Sequence, residues 1–155
     1  MMSEDSYFED LEIGQVVQGR SATLTEAQIL DFAWQYDPQP FHISKTEAEA
    51  SHFNGLIASG FQTLGIAFRM VWEESPWKRT SVGGRGIDEL RWPNAVRPGD
   101  TITSKAEVVE KTPSRSRPFG TVKIRYTAIN QEGKDVFSAL LIQIIRQRDW
   151  TPPED

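Results

Sequence analysis

Asp37-Pro38-Gln39-Pro40-Phe41-His42 sets an aspartate and a histidine five residues apart, the pairing in this chain best suited to chemistry. A carboxylate and an imidazole that converge on one small molecule, such as a water, divide base and acid roles between them. Pro38 and Pro40 each lack an N–H and push Asp37 and Gln39 toward extended geometry, so the segment is expected to be stiff and not regular helix. A stiff segment fixes the direction of its side chains at low entropic cost. The plainer reading of the hexapeptide taken alone is an Asp-Pro turn followed by a histidine packed at a helix start.

A second group lies in Gly55-Leu56-Ile57-Ala58-Ser59-Gly60-Phe61. Gly60 at the start of a helix would present a free N–H beside the positive end of the macrodipole. Such a donor suits an oxygen that gains negative charge in a transition state. The plainer alternative is a helix entry where glycine only relieves crowding.

These residues depend on the elements around them. Thr25 and Gln28 form a capping-box pattern, with Leu24 placed to staple onto Ile29, and open a short helix through Ile29, Leu30, Phe32, Ala33 and Tyr36. Ser44-Lys45-Thr46-Glu47 repeats the pattern and opens a polar helix to about Ser51, which puts His42 just ahead of a helix N-terminus. Leu56 to Trp72 is apolar nearly all round, as expected of a helix surrounded by protein, and Pro76 marks its end. Strand patterns follow at Ile87 to Trp92, Thr101 to Glu110, Thr121 to Asn130 and Val136 to Arg146, with Gln131-Glu132-Gly133 as a tight hairpin turn. The last strand is almost continuously apolar, which predicts cover on both faces. One mostly buried helix followed by long antiparallel strands predicts an α+β fold, a sheet curled around that helix. Such a sheet leaves edges exposed unless something pairs with them, so a homodimer or higher homo-oligomer is expected.

Composition narrows the function. The 155 residues are read as a single domain over 1–155, with a core from about Phe8 to Arg146 and a frayed acidic tail at 151–155. A net charge of −5, from 17 basic and 22 acidic residues, argues against nucleic acid as a partner. The absence of cysteine excludes disulfides and a thiolate nucleophile and fits a reducing cytoplasm. Met1 to Asp10 lacks the basic start and apolar run of a signal peptide, and no apolar stretch is long enough for a bilayer. A cytoplasmic protein without a membrane role is expected.

Taken together, the motifs resemble the MaoC-like dehydratases, or (R)-specific enoyl-CoA hydratases, of the hotdog fold. Tyr36-Asp37-Pro38-Gln39-Pro40-Phe41-His42 is similar to that family's motif of aspartate, any residue, asparagine, proline, aliphatic residue, histidine. Ile57-Ala58-Ser59-Gly60-Phe61 resembles the opening of the central hotdog helix, and Glu89-Leu90-Arg91-Trp92 through Val96-Arg97-Pro98-Gly99-Asp100-Thr101 the strand-turn-strand that follows. Three departures stand out: Gln39 replaces the asparagine, Phe41 the aliphatic residue, and Ser59 a histidine that often precedes the glycine.

The resemblance implies a hydro-lyase. Asp37 and His42 would activate a water for addition to a trans-2-enoyl thioester, giving a (R)-3-hydroxyacyl thioester, and Gly60 N–H would polarise the thioester carbonyl. Gln39 and Ser59 become candidate substrate contacts, and no metal or redox cofactor is implied. Coenzyme A enters only as part of the substrate, with acyl carrier protein as the other possible handle. Lys111 to Pro118 carries Arg115 and Arg117, which could pair with coenzyme A phosphates or sit on a solvated hairpin tip. Arg85, in Gly83-Gly84-Arg85-Gly86, is a weaker candidate for an acyl or phosphate contact, in a segment expected to be a mobile entrance to the first of these strands. His52 is read as a surface residue, and the five tryptophans as core or interface anchors. Two other functions remain open at this stage: a hotdog thioesterase using a carboxylate-activated water, and a non-catalytic acyl-binding or assembly subunit. Acyl length and branching, and the division of protons between Asp37 and His42, stay open too.

Overall fold

In the computed structural model, which describes residues 5–150 and Glu154, the strand and helix patterns resolve into a single antiparallel sheet, four α-helices and a 3-10 turn at Phe8–Asp10 among the described residues. β1 (Val16–Thr23) precedes α1 (Glu26–Tyr36), α2 (Pro40–Ile43), α3 (Lys45–Ala50) and α4 (Gly60–Trp72). β2 (Ser81–Arg91), β3 (Thr101–Pro113), β4 (Phe119–Ile129) and β5 (Asp135–Arg146) complete the chain. The five strands pair in the order β1-β3-β4-β5-β2, so β1 and β2 are the edges. The tail expected at 151–155 lies outside the described residues apart from Glu154.

The sheet buries one face against α4. Along β4, Val122, Ile124, Tyr126 and Ala128 are buried in strict alternation, the period-2 pattern of a strand with one face inward. Thr63, Ala67 and Val71 of α4 are buried as well, at helical spacing. Gly19 lets β1 come close to β3 and α4: a Cβ there would stand 2.8 Å from the Ser104 carbonyl oxygen and 3.0 Å from the Met70 backbone. Among the described residues no helix is long and apolar enough to cross a membrane.

Local reading held at the helix starts. The Thr25 box forms in both directions, with Gln28 N–H donating to Thr25 Oγ1 at 3.2 Å and Thr25 N–H to Gln28 Oε1 at 2.9 Å. Leu24 and Ile29, the two ends of the staple pattern, are both buried. Ser44 accepts from Glu47 N–H at 3.3 Å, so only the serine's half of the second box is made.

Four expectations are corrected. The Pro38-to-His42 segment is not free of helix: Pro40 starts a single turn, Pro40–Ile43, and His42 lies inside it. Proline is suited to the first helical position, where its missing N–H would have no partner anyway. α4 begins at Gly60, the helix start expected of that glycine, and only Leu56 to Ala58, read as part of the same apolar helix, fall outside it. The glycine-rich segment is no mobile entrance but the first half of β2, where Gly83, Gly84 and Gly86 pair with Ile144, Gln143 and Ile142 across repeated bulges. Gly83 has a φ of 147°, a conformation that side-chain-bearing residues rarely adopt, so glycine here serves a bulge.

The fourth concerns cover on the far side of the sheet. Leu140, Ile142 and Ile144 of β5 are only half-buried, and so are Leu64, Phe68 and Trp72 of α4. The reason is β2, whose two faces are almost wholly exposed along its length. Between β2 and α4 runs an apolar groove of about 400 Å³. The continuous apolar character of β5 thus exceeds what one chain covers.

Candidate active site

The site is built where the Asp37 segment meets the strand-like entry to α4. Ile57 N–H donates to the Phe41 carbonyl at 3.1 Å, and His42 Nδ1–H donates to the Ile57 carbonyl at 2.8 Å. These two bonds clamp the single turn of α2 to the residues preceding α4. Ala58 N–H donates to the Val96 carbonyl at 2.8 Å and ties the same residues to the turn before β3.

Asp37 and His42 converge as their spacing implied. His42 Nε2 stands 3.3 Å from Asp37 Oδ2, and His42 is 4% exposed and Asp37 9%. Because Nδ1 carries the proton given to a backbone carbonyl, Nε2 is the nitrogen that faces Asp37, a lone pair when the ring is neutral and a donor when it is charged. With the ring neutral, Nε2 and Oδ2 are two acceptors facing one point, an arrangement able to bind a water by both of its hydrogens. Its oxygen lone pairs are left free.

Asp37 is itself held by two donors. Ser59 Oγ–H donates to Oδ2 at 2.7 Å and Gln39 Nε2–H to Oδ1 at 2.8 Å. Burial acts to raise the carboxyl's pKa, but the bonds from Ser59 and Gln39 and the nearby His42 outweigh it and hold Asp37 below its ordinary 3.8. The group is a committed carboxylate at neutral pH. Ser59 also caps α4, accepting from Phe61 N–H at 3.2 Å.

Gly60 occupies the first position of α4, and among the described residues no acceptor takes its N–H. With Asp37 and His42 it lines a cavity of about 480 Å³, closed by Phe61, Trp92, Val96 and Val136. That is ample for a small acyl group, and mostly apolar residues surround the few polar atoms.

The structure therefore brings together Asp37, His42, Gly60, Gln39 and Ser59. Gln39 and Ser59, candidate substrate contacts by sequence, make their recorded bonds to Asp37. Arg85, Arg115 and Arg117 are not brought to this site within one chain. Arg85 lies in mid-strand on β2. Arg115 and Arg117 sit in the β3–β4 connection beside the end of β5, where Phe119 pairs with Arg146. The cavity adjoins the opposite end of the 12-residue β5, at Val136, roughly 30 Å away at strand rise. His52 is exposed, as read. Trp92, read only as an anchor, instead lines the cavity; its one sequence mark is its place before the Pro93-Asn94 turn.

Replacing Ser59 by alanine removes one of the two bonds that keep Asp37 ionised, while burial remains. The Asp37 pKa then rises, and the acid limb of kcat/KM moves to higher pH. Loss of a hydrogen bond to a charged group is worth about 1.5–3 kcal/mol, which bounds how far that limb can move. A pH–rate profile that keeps its acid limb in place would deny Ser59 this role.

A sheet packed on one central helix, with a buried acid–imidazole pair at that helix's N-terminus, defines a hotdog-fold protein of the hydratase–dehydratase type. The comparisons agree. A family model described as MaoC like domain matches residues 9–130, and the chain belongs to the MaoC-like family. It is 31% identical to the uncharacterized protein YdeM of Bacillus subtilis, over 90% of this chain and 98% of that one. It is also 31% identical to a 3-hydroxybutyryl-CoA dehydratase of Methylorubrum extorquens, over 72% of this chain and 69% of the relative. Among solved structures, the MaoC-like dehydratase of Rhodospirillum rubrum superposes with a TM-score of 0.86 at 33% identity, covering 94% of this chain and 99% of that one.

Proposed function

We propose that this protein catalyses the reversible hydration of trans-2-enoyl thioesters to (R)-3-hydroxyacyl thioesters. The observation that carries the reading is the convergence of His42 Nε2 and Asp37 Oδ2 at 3.3 Å beside the unpaired Gly60 N–H, all on one cavity. Similarity to a relative named 3-hydroxybutyryl-CoA dehydratase supports the thioester class.

In the hydration direction the thioester carbonyl oxygen accepts from Gly60 N–H, which polarises the conjugated double bond. Water held by Asp37 and His42 adds its oxygen to the β carbon and gives one proton to the pair. A proton returns from the pair to the α carbon as the enolate collapses. One water is added across one double bond, and Asp37 and His42 end as they began. In reverse the same groups take the α proton and protonate the departing hydroxyl.

Loss of conjugated-bond absorbance from a series of trans-2-enoyl-CoA and enoyl-acyl carrier protein esters, with the product resolved by chirality, tests the proposal. Release of free thiol from saturated acyl-CoA with no hydration would replace it with a thioesterase. Inertness toward every ester would leave a binding or assembly subunit.

We further propose that the protein works as a homodimer or larger homo-oligomer. Support comes from β2, an 11-residue edge strand with unpaired backbone groups on its outer side, bearing exposed Val82 and Ile87. Light scattering on a sizing column should give at least twice the chain mass of 17.6 kDa, and a monomer mass at micromolar concentration would overturn this assembly.

A further inference from the structure

Phe41 departs from the family's aliphatic residue, and its ring has a partner outside the motif. Its centroid lies 5.1 Å from that of Phe53, the rings tilted at 56°, and 4.6 Å from that of His42, near a right angle at 77°. Both phenylalanines are half-buried and line the cavity.

His42 depends on that neighbour. One hydrogen bond, from Nδ1–H to the Ile57 carbonyl, fixes a single point of the imidazole. The ring can pivot about that bond, and a pivot swings Nε2 away from Asp37 Oδ2. Phe41, packed across the ring, blocks the pivot as long as Phe53 backs it.

Phe53 lies in the turn between α3 and the entry to α4, where Asn54 and Gly55 take positive φ values of 53° and 148°. The Phe53 carbonyl accepts from Arg97 Nη2–H. A Cβ on Gly55 would stand 3.2 Å from Arg97 Nη1, so the guanidinium spans the turn from Phe53 to Gly55. Arg97 is anchored at its own backbone: its N–H donates to Asp100 Oδ2 at 2.8 Å, and Asp100 Oδ1 accepts from Gln131 Nε2–H at 2.8 Å. Its side chain is exposed and does not line the cavity. Removing it therefore takes no atom from the cavity wall.

We infer that Arg97 is a positioning residue for His42, holding Phe53 behind Phe41 and Phe41 against the imidazole. For its kinetic consequence the inference rests on the proposed hydration.

The test compares the full-length wild type with Arg97→Ala, Arg97→Lys, Phe53→Leu and the double variant Arg97→Ala/Phe53→Leu. Two quantities are measured: kcat and KM for hydration of trans-2-butenoyl-CoA, and solvent exchange of the His42 Nδ1–H by proton NMR. His42 is the buried one of the chain's two histidines, and His52 is exposed, so the slowly exchanging ring proton belongs to His42. Arg97→Ala is expected to lower kcat about tenfold with KM within about twofold, and to speed Nδ1–H exchange about tenfold, since a remote 1 Å misplacement can cost roughly 10²-fold. Arg97→Lys, which still offers a donor to the Phe53 carbonyl, recovers most of both. The double variant falls no more than about twofold below Phe53→Leu alone, because contacts acting in series are not additive.

Unchanged Nδ1–H exchange in a folded Arg97→Ala overturns the role, whatever its kcat, and so does a double variant whose losses multiply. If Arg97→Ala loses its cooperative thermal transition, Phe53→Leu decides: it keeps the Arg97 bond, and faster exchange upholds the brace while unchanged exchange overturns it. Faster exchange in variants of a protein that hydrates no enoyl ester upholds the brace and removes the reaction.

Discussion

Asp37→Asn will reduce enoyl-thioester hydration by about a thousandfold while leaving the protein folded. General acid–base catalysis by a positioned group contributes roughly 10²- to 10⁴-fold, and asparagine offers no basic oxygen of comparable strength. The change is nearly isosteric, but it upsets a specific set of bonds. Ser59 Oγ–H and Gln39 Nε2–H each donate to a different carboxylate oxygen, so an amide must set its own NH₂ against one of the two donors. The rotatable Ser59 hydroxyl can turn to accept instead, at the cost of its bond geometry. Against that loss, asparagine needs no desolvation of a charge. Thermal stability at neutral pH should stay within a few degrees of wild type, and the activity loss should appear in kcat more than in KM.

The pH dependence of stability carries its own sign. Asp37 is held below its ordinary 3.8, so its contribution to stability is fully present above that value and is lost as pH falls through the lower, folded-state one. Asp37→Asn abolishes this segment of acid destabilisation. Urea midpoints for the two proteins should therefore converge on acidification. A variant that hydrates at the wild-type rate would take Asp37 out of the reaction.

His42→Ala should lower activity by a comparable factor, about 10²- to 10⁴-fold, and here stability suffers too. The imidazole is buried and, among the described residues, makes the one side-chain bond to the Ile57 carbonyl, at 2.8 Å. Removing it leaves that carbonyl without its partner and opens a space behind Phe41. An unsatisfied buried acceptor costs about 1–3 kcal/mol. In a chain of this size 1 kcal/mol shifts Tm by roughly 2–4 °C, so a drop of about 2–12 °C is expected by calorimetry or circular dichroism. The two variants thus separate chemistry from architecture: one loses rate alone, the other loses rate and clamp. Wild-type kinetics with a lowered Tm would reduce His42 to a structural residue.

The residues proposed to react stand out in the sequence because local chemistry fixes their surroundings. Two prolines, a capping threonine and a glycine at a helix start act over a few residues, and their effects survive folding. The same holds for the Thr25 cap and for the strand patterns beginning near Thr101, Thr121 and Val136. What escaped were features set by long-range packing. Nothing in Ser59 or Gln39 as residue types says that both will turn toward Asp37; that follows only once α2 is clamped to the entry of α4. Trp92 is read as an anchor because its contact with Gly60 spans a turn and a strand that no periodicity links. Arg115 and Arg117 are read as contacts for coenzyme A phosphates by charge alone, and within one chain they lie at the other end of β5 from the cavity. β5 misled in an instructive way, since its outer face is apolar in sequence yet Leu140, Ile142 and Ile144 stay only half-buried in the chain.

Asp37, His42 and Gly60 all come from one continuous stretch between α1 and the start of α4, while the opposite side of the cavity comes from Trp92, Val96 and Val136, on later segments. Under the proposed reaction, the groups that would move protons and the residues that would shape the acyl pocket stand in separate passages of the chain. Substitutions at Trp92 or Val136 can retune which molecules are accepted while the proton-handling groups keep their mutual positions. A scaffold partitioned this way is open to redesign for new substrates by editing the later segments alone.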